Sequence, residues 1–321
     1  MHWLETKKLF VKYSTYIVYK NIISTHIANC LGQYKIEELT SMKLESFAIE
    51  LLKNGRVDGN GGLSNKSVID ICTLIKNTLK FAKSHGEPVS CDFDSLIIKK
   101  KSSEMRVLSK EETNKLINVV FENIDSCKLG ILICLFTGIR IGELCALKWK
   151  DISFSDNYIR IERTMQRIQT EKSTDIQKTI VITTTPKTPS AIRIIPVSQE
   201  LLRELRMFRS EPEEYVLSQK KGKYVEPRTM QNKFKKCLDE ANIENANFHA
   251  LRHTFATRCI EVGCDAKTLS ELLGHSSVKI TLQRCFLPLS LLSSSAVFDA
   301  ECQLISPSIH TSSSSLTASF H

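Results

Sequence analysis

The 321 residues carry 44 Lys and Arg against 35 Asp and Glu, a formal charge of +9, and 42% of them are hydrophobic. That length and apolar content suit two domains with real cores, and no apolar run reaches the length of a membrane span. The 11 cysteines are odd in number and include no CxxC pair. With no secretory leader in view, they read as reduced core residues of a cytoplasmic protein, not as a disulfide framework or a zinc site.

Residues 1 to about 84 read as helical throughout. Trp3 to Tyr19 forms a helix whose basic face carries Lys7, Lys8 and Lys12, with Ser14-Thr15 capping or interrupting it. Leu39 to Leu52 is amphipathic, with Leu44, Phe47, Ala48 and Leu51 on one face. Gly55 to Gly62 is a loop. It lacks a GK[ST] phrase and a preceding strand, so it is no phosphate loop. Ser64 then starts a helix in which Val68, Ile71, Cys72, Ile75 and Leu79 recur at helical spacing. Taken alone, this region is equally a plain helical bundle with solvated lysines.

Residues 85–105 form the expected linker, broken by Gly86-Glu87-Pro88 and bearing the basic run Lys99-Lys100-Lys101; a solvated hinge is the alternative reading. A second domain begins near Arg106. Ser109 and Glu112 form a capping box, and apolar helices follow through Phe136. Trp149 to Phe154 turns toward strands at Tyr158–Ile168, Thr179–Thr184 and Ala191–Val197. The turn Thr185–Ser190 is expected to join the last two as a hairpin with Lys187 at its tip, where an exposed turn lysine is the ordinary occupant. Gln199 to Arg209 is a helix, Tyr215 to Leu217 a short buried strand, and Pro227 a first-turn proline of the helix that runs to about Ala241. The fold class is therefore mainly α with a small β-sheet.

Two stretches concentrate chemistry. In TGIRIGELCALKW, Thr137 to Trp149, a glycine turn between apolar helical runs can lift Arg140 toward a cleft. From Asn247 to Cys285 three short helices are punctuated by Gly263 and Gly274, each where a left-handed residue would end a helix. His249 and Arg252 stand three apart on one helical face, and His275 follows Gly274 directly. Each basic residue alone could merely cap carbonyls or face solvent. Together they can converge on an anion, with a phosphate as the natural occupant.

These phrases resemble the tyrosine recombinases, the integrases of phages and conjugative transposons. The resemblance rests on Arg140 in TGIRIGEL, Lys187 in TPKTPSAIRIIPV, His249 and Arg252 in HALRHTFAT, and His275 in LGHSSVKITLQR. It implies a helical core-DNA-binding domain (1–84), a linker along DNA, and a catalytic domain (106–284) of the DNA breaking-rejoining fold. Double-stranded DNA is the implied partner, with self-association into a tetramer on DNA. The implied chemistry uses no cofactor and no metal. Arg140 and Arg252 would grip the non-bridging oxygens of the scissile phosphate. Lys187 would protonate the leaving 5′-oxygen, His249 would act as general base or hydrogen-bond donor, and His275 would brace the phosphate. A type IB topoisomerase shares this chemistry, but the N-terminal region is integrase-like.

One position departs from the family. Where it carries the nucleophilic tyrosine, this chain has TLQRC, with Cys285, and no tyrosine follows Tyr224. The last 37 residues hold eleven serines, no Lys or Arg, and two acids, Asp299 and Glu301, so the remainder carries +11. A frameshift near codon 285 accounts for both the missing tyrosine and the changed composition; a native tail that diverged is the alternative. With cysteine there, strand cleavage is expected to be lost or impaired. The alternative function is a non-catalytic protein that occupies recombination sites or joins a mixed synapse.

Overall fold

The computed structural model describes residues 2–91, 98–99, 105–170, 179–186, 189–220 and 222–282. The chain is mainly helical with small antiparallel sheets, as its sequence predicts. It divides into two compact units, one built from residues 1–103 with 168–180, the other from 104–167 and 181–321.

The first unit contains α1 (His2–Lys8), α2 (Tyr13–Ile22), a π turn at Ile23–Ile27 that leads into α3 (Ala28–Leu31), α4 (Ser41–Asn54) and α5 (Asn65–Ser84). Side-chain caps set its two main starts: Thr40 Oγ1 accepts from the Lys43 amide at 3.3 Å, and Ser64 Oγ from the Ser67 amide at 3.1 Å. Leu44, Phe47, Ala48 and Leu51 of α4 meet Val68, Ile71, Cys72, Ile75 and Leu79 of α5 in one core. Val89, Cys91 and Ile98, from the expected linker, pack against it.

The helix expected from Trp3 to Tyr19 is interrupted, but earlier than at Ser14-Thr15: it breaks between Lys8 and Tyr13, and Ser14-Thr15 lie inside the first turn of α2. Trp3, Leu4, Tyr16 and Ile17 share one cluster with Leu74. In a straight helix Leu4 and Tyr16 would stand ~18 Å apart, so the chain turns back to bury both.

The second unit is organised around the apolar helix α7 (Ser126–Thr137), which follows α6 (Lys110–Glu122). The capping box forms: Ser109 Oγ accepts from the Glu112 amide at 3.1 Å, and Glu112 Oε2 from the Ser109 amide at 2.9 Å. Then come α8 (Ile141–Cys145), β1 (Ile152–Ser153), β2 (Tyr158–Ile161), β3 (Thr164–Gln169) and β4 (Thr179–Thr184), the last two partly within residues 168–180 of the first unit, then β5 (Arg193–Pro196) and α9 (Gln199–Met207). They are followed by β6 (Ser218–Lys220), β7 (Lys223–Tyr224), α10 (Pro227–Glu240), α11 (His249–Glu261), α12 (Ala266–Leu273) and α13 (Val278–Thr281). Leu116, Ile131, Leu132, Leu144, Leu202, Phe234 and Leu251 close one core around α7.

Two strand expectations change. β5 pairs antiparallel with β2, in the register Ile159–Ile195 and Ile161–Arg193, while β3 pairs with β4. β4 and β5 therefore belong to different sheets and are not the two strands of one hairpin. The strand expected at Tyr215–Leu217 begins at Ser218. Tyr215 makes only an isolated bridge to Lys148, and Val216 and Leu217 are buried.

Candidate phosphate-binding site

Gly138 begins the site. It ends α7 with φ 63°, and a Cβ there would lie 2.4 Å from Phe255 Cδ1. A left-handed residue without a side chain lets the backbone turn directly against α11. Arg140 then becomes the first residue before α8. Its amide donates to Glu143 Oε2 at 2.9 Å, and its Nη1 to Glu143 Oε1 at 2.8 Å. Its Nη2 donates to the Gly274 carbonyl at 3.0 Å.

Arg252 comes from α11 and is only 4% exposed. Nη1 donates to the Gly138 carbonyl and Nη2 to the Leu273 carbonyl, both at 2.7 Å. Those carbonyls close α7 and α12, so the arginine fork is set by two helix ends. The HxxR spacing places His249 on the same helix, one turn earlier and exposed, with its amide capped by Asn247 Oδ1 at 2.9 Å.

His275 follows Gly274, whose φ of 62° ends α12. The His275 amide donates to the Ser270 carbonyl at 3.0 Å, and its Nδ1 lies 2.7 Å from Oγ1 of the buried Thr281. One short turn, α13, thus orients the imidazole.

Arg140, His249, Arg252 and His275 line one recess of about 220 Å³, together with His253, Ser276 and Ile280. Among its described lining residues there is no carboxylate. Two guanidinium groups and three imidazoles make it suited to a compact anion with several oxygens. Lys187 and Cys285 lie outside the described residues. No group of three metal-ligating side chains occurs among the described residues, and no helix there is long and apolar enough to cross a membrane.

Sequence reasoning missed three residues. His253 sits edge-to-face on His249, with centroids 4.6 Å apart and planes at 85°; the i, i+4 spacing in HALRH was the available signal. Glu143, 3% exposed, lies behind Arg140 and is bound by Arg193 as well. Burial pushes the Glu143 carboxyl up, but the Arg193 hydrogen bond and charge, then Arg140, outweigh it and hold it below the ordinary carboxylate range. The buried cysteines are inert by comparison: desolvation raises the Cys145 thiol to about 12 and that of Cys72 to about 11.

Residues 106–285 match the Phage integrase family, and residues 1–52 match the phage integrase N-terminal SAM-like domain. The chain is 28% identical over 307 residues to the tyrosine recombinase XerC-like protein of Caldanaerobacter subterraneus subsp. tengcongensis, covering 88% of this chain and 76% of that one. It is 27% identical over 279 residues to the ICEBs1 integrase of Bacillus subtilis, covering 82% and 71%. In fold it is similar to the Tn1549 transposon integrase solved with a circular intermediate DNA, with a TM-score of 0.70 at 19% identity, covering 94% and 97%. It is also similar to a lambda integrase tetramer bound to a Holliday junction, with a TM-score of 0.63 at 20% identity, covering 88% and 76%.

Proposed function

The chain belongs to the phage integrase family, the tyrosine-type site-specific recombinases, and on that premise we propose that it binds duplex DNA, seats a backbone phosphate in the recess, and has lost or impaired strand cleavage because Cys285 stands at the tyrosine position. The observation that carries this reading is the convergence of Arg140, Arg252, His249 and His275 on one recess with no carboxylate among its described lining residues.

A phosphodiester attacked in line passes through a trigonal-bipyramidal state whose charge spreads over the equatorial oxygens. Arg140 and Arg252 supply donors to those oxygens that are already oriented by their bonds to Glu143 and to helix-end carbonyls, and such preorganised donors stabilise developing charge. His275, held by Thr281, adds a further donor. His249, exposed at the start of α11, is suited to trade a proton with the attacking group. Lys187 takes the role of acid toward the leaving 5′-oxygen. In the family a tyrosine attacks and conserves the bond as a 3′-phosphotyrosyl link, which the freed 5′-hydroxyl later reverses.

The neighbouring recess, lined by Gln231, Asn247, His249 and Arg252 together with Ile139, Ile141 and Phe248, extends toward α10. A duplex laid there would meet Arg228, Asn232 and Lys235 of that helix. Assembly of several copies on DNA follows from the same premise, as in the lambda integrase tetramer on its junction. A cytoplasmic location follows from a DNA substrate.

The test is fluorescence anisotropy on a duplex selected from a random pool, over a salt series. Six to ten phosphate contacts predict roughly a 10³- to 10⁵-fold loss of affinity between 50 and 200 mM salt. Replacing Arg140 by alanine should weaken binding to a duplex with a normal phosphate in the recess, and leave binding unchanged when that phosphate is a neutral methylphosphonate. Affinity indifferent to salt, or equal sensitivity of both duplexes to Arg140→Ala, would overturn the assignment.

A further inference from the structure

We propose that Arg193, which lines no part of the recess, is a positioning residue of the phosphate site: it fixes the Glu143 carboxylate so that Arg140 faces the phosphate with its charge available. This rests on the phosphate reading above.

Three consecutive carbonyls at the end of α12 are each taken by a different arginine. Leu272 O accepts from Arg193 Nε at 2.6 Å, Leu273 O from Arg252 Nη2 at 2.7 Å, and Gly274 O from Arg140 Nη2 at 3.0 Å. These acceptors have no partner within the helix and form the negative end of its dipole, so cations gather there. The helix end is a common anchor for arginines from β5, α11 and the turn before α8. Gly274 is needed twice: its φ is 62°, and a Cβ would approach Arg193 Nη1 to 3.0 Å.

Arg193 differs from the other two because it holds both oxygens of Glu143. Nη1 reaches Oε1 at 3.2 Å and Nη2 reaches Oε2 at 2.9 Å. Arg140 Nη1 shares Oε1 at 2.8 Å. The side chains of Arg193 and Glu143 are only 6% and 3% exposed, whereas that of Arg140 is 36% exposed. The row therefore runs from the interior to the rim of the recess.

The order of charges explains the role. A planar fork fixes the plane of the carboxylate it holds. Without Arg193, Glu143 would turn its full charge and both oxygens onto Arg140. That would occupy the N–H groups that Arg140 needs for phosphate and offset its charge. With Arg193 present, the Arg–Glu–Arg row keeps one net positive charge, at its outer end.

The experiment is calorimetric titration of the full chain with inorganic phosphate and with orthovanadate, at a temperature where thermal unfolding shows each variant folded. Arg193→Met should bind about tenfold more weakly, the size of one weakened charge-assisted contact. Added to Arg140→Ala it should cause no further loss, because it acts only through Arg140. Arg193→Lys, which keeps the charge and loses the fork, should fall between the parent and Arg193→Met. A folded Arg193→Met with parental affinity, or additive losses in the double variant, overturns the proposal and leaves the phosphate site standing. Should Arg193→Met fail to fold, parental affinity in Arg193→Lys overturns it. Failure of the parent chain to bind either anion overturns the phosphate reading and this proposal with it.

Discussion

A nicked suicide duplex is expected to leave the unaltered chain unlinked and to trap the Cys285→Tyr variant as a slow-migrating protein–DNA adduct. The thiol falls several ångströms short of the reach of a phenol, on the order of 100-fold in rate for a single ångström of misplacement. Sulfur is also a soft nucleophile, better matched to carbon than to phosphorus. His275 is tied to Thr281, and Cys285 follows Thr281 by four residues. Adduct formation by the unaltered chain would sink the proposed loss of cleavage. Adduct formation by the variant alone marks a decayed recombinase. If neither is trapped, the residues after 285 no longer present any nucleophile, and the chain acts as a DNA-binding protein without chemistry. Translating the coding DNA beyond codon 270 in all frames separates the origins: an Arg-Tyr followed by a charged helical pattern in another frame identifies the tail as a frameshift product.

Glu143→Ala is expected to destabilise the second unit by about 3–5 kcal/mol, the cost of leaving a buried charge without its partner. Arg193 would keep its bonds to Leu272 O and Ala191 O but lose both bonds to a carboxylate. Domains are stable by only about 5–15 kcal/mol, so this one change approaches the whole. Urea unfolding measures it, and a loss below about 1 kcal/mol would refute the account. Acid should act through the same group. Glu143 titrates lower when folded than unfolded. Its contribution is therefore complete above the unfolded carboxylate value of about 4.3 and is lost as pH falls through the lower folded value. A melting series from neutral pH to pH 3 should show a fall that Glu143→Gln flattens.

Much of this protein was legible in short stretches of sequence, because the responsible forces are local. The Ser109–Glu112 box and the helix start at Ser64 join side chains to amides three residues away. Gly138 and Gly274 take left-handed φ where a helix must stop. Helical spacing alone put Arg252 and His249 on one helix, and its periodic apolar residues identified the α4 face. Non-local choices were hidden. A strand of alternating residues does not state its partner, so β5 could be read as joining β4, whereas burial of Ile159 and Ile195 together selects β2. Arg193 lies in an apolar run, IRIIP, where alternation would send an arginine outward. The fold instead buries it and leaves Ile192 and Ile194 about half exposed. Glu143, three residues after Arg140, reads as an ordinary helical pair. Only the tertiary structure, by bringing the end of α12, α8 and β5 to one point, makes it the buried centre of an arginine row, because the energy of a buried charge is set by every group around it and by none of its sequence neighbours alone.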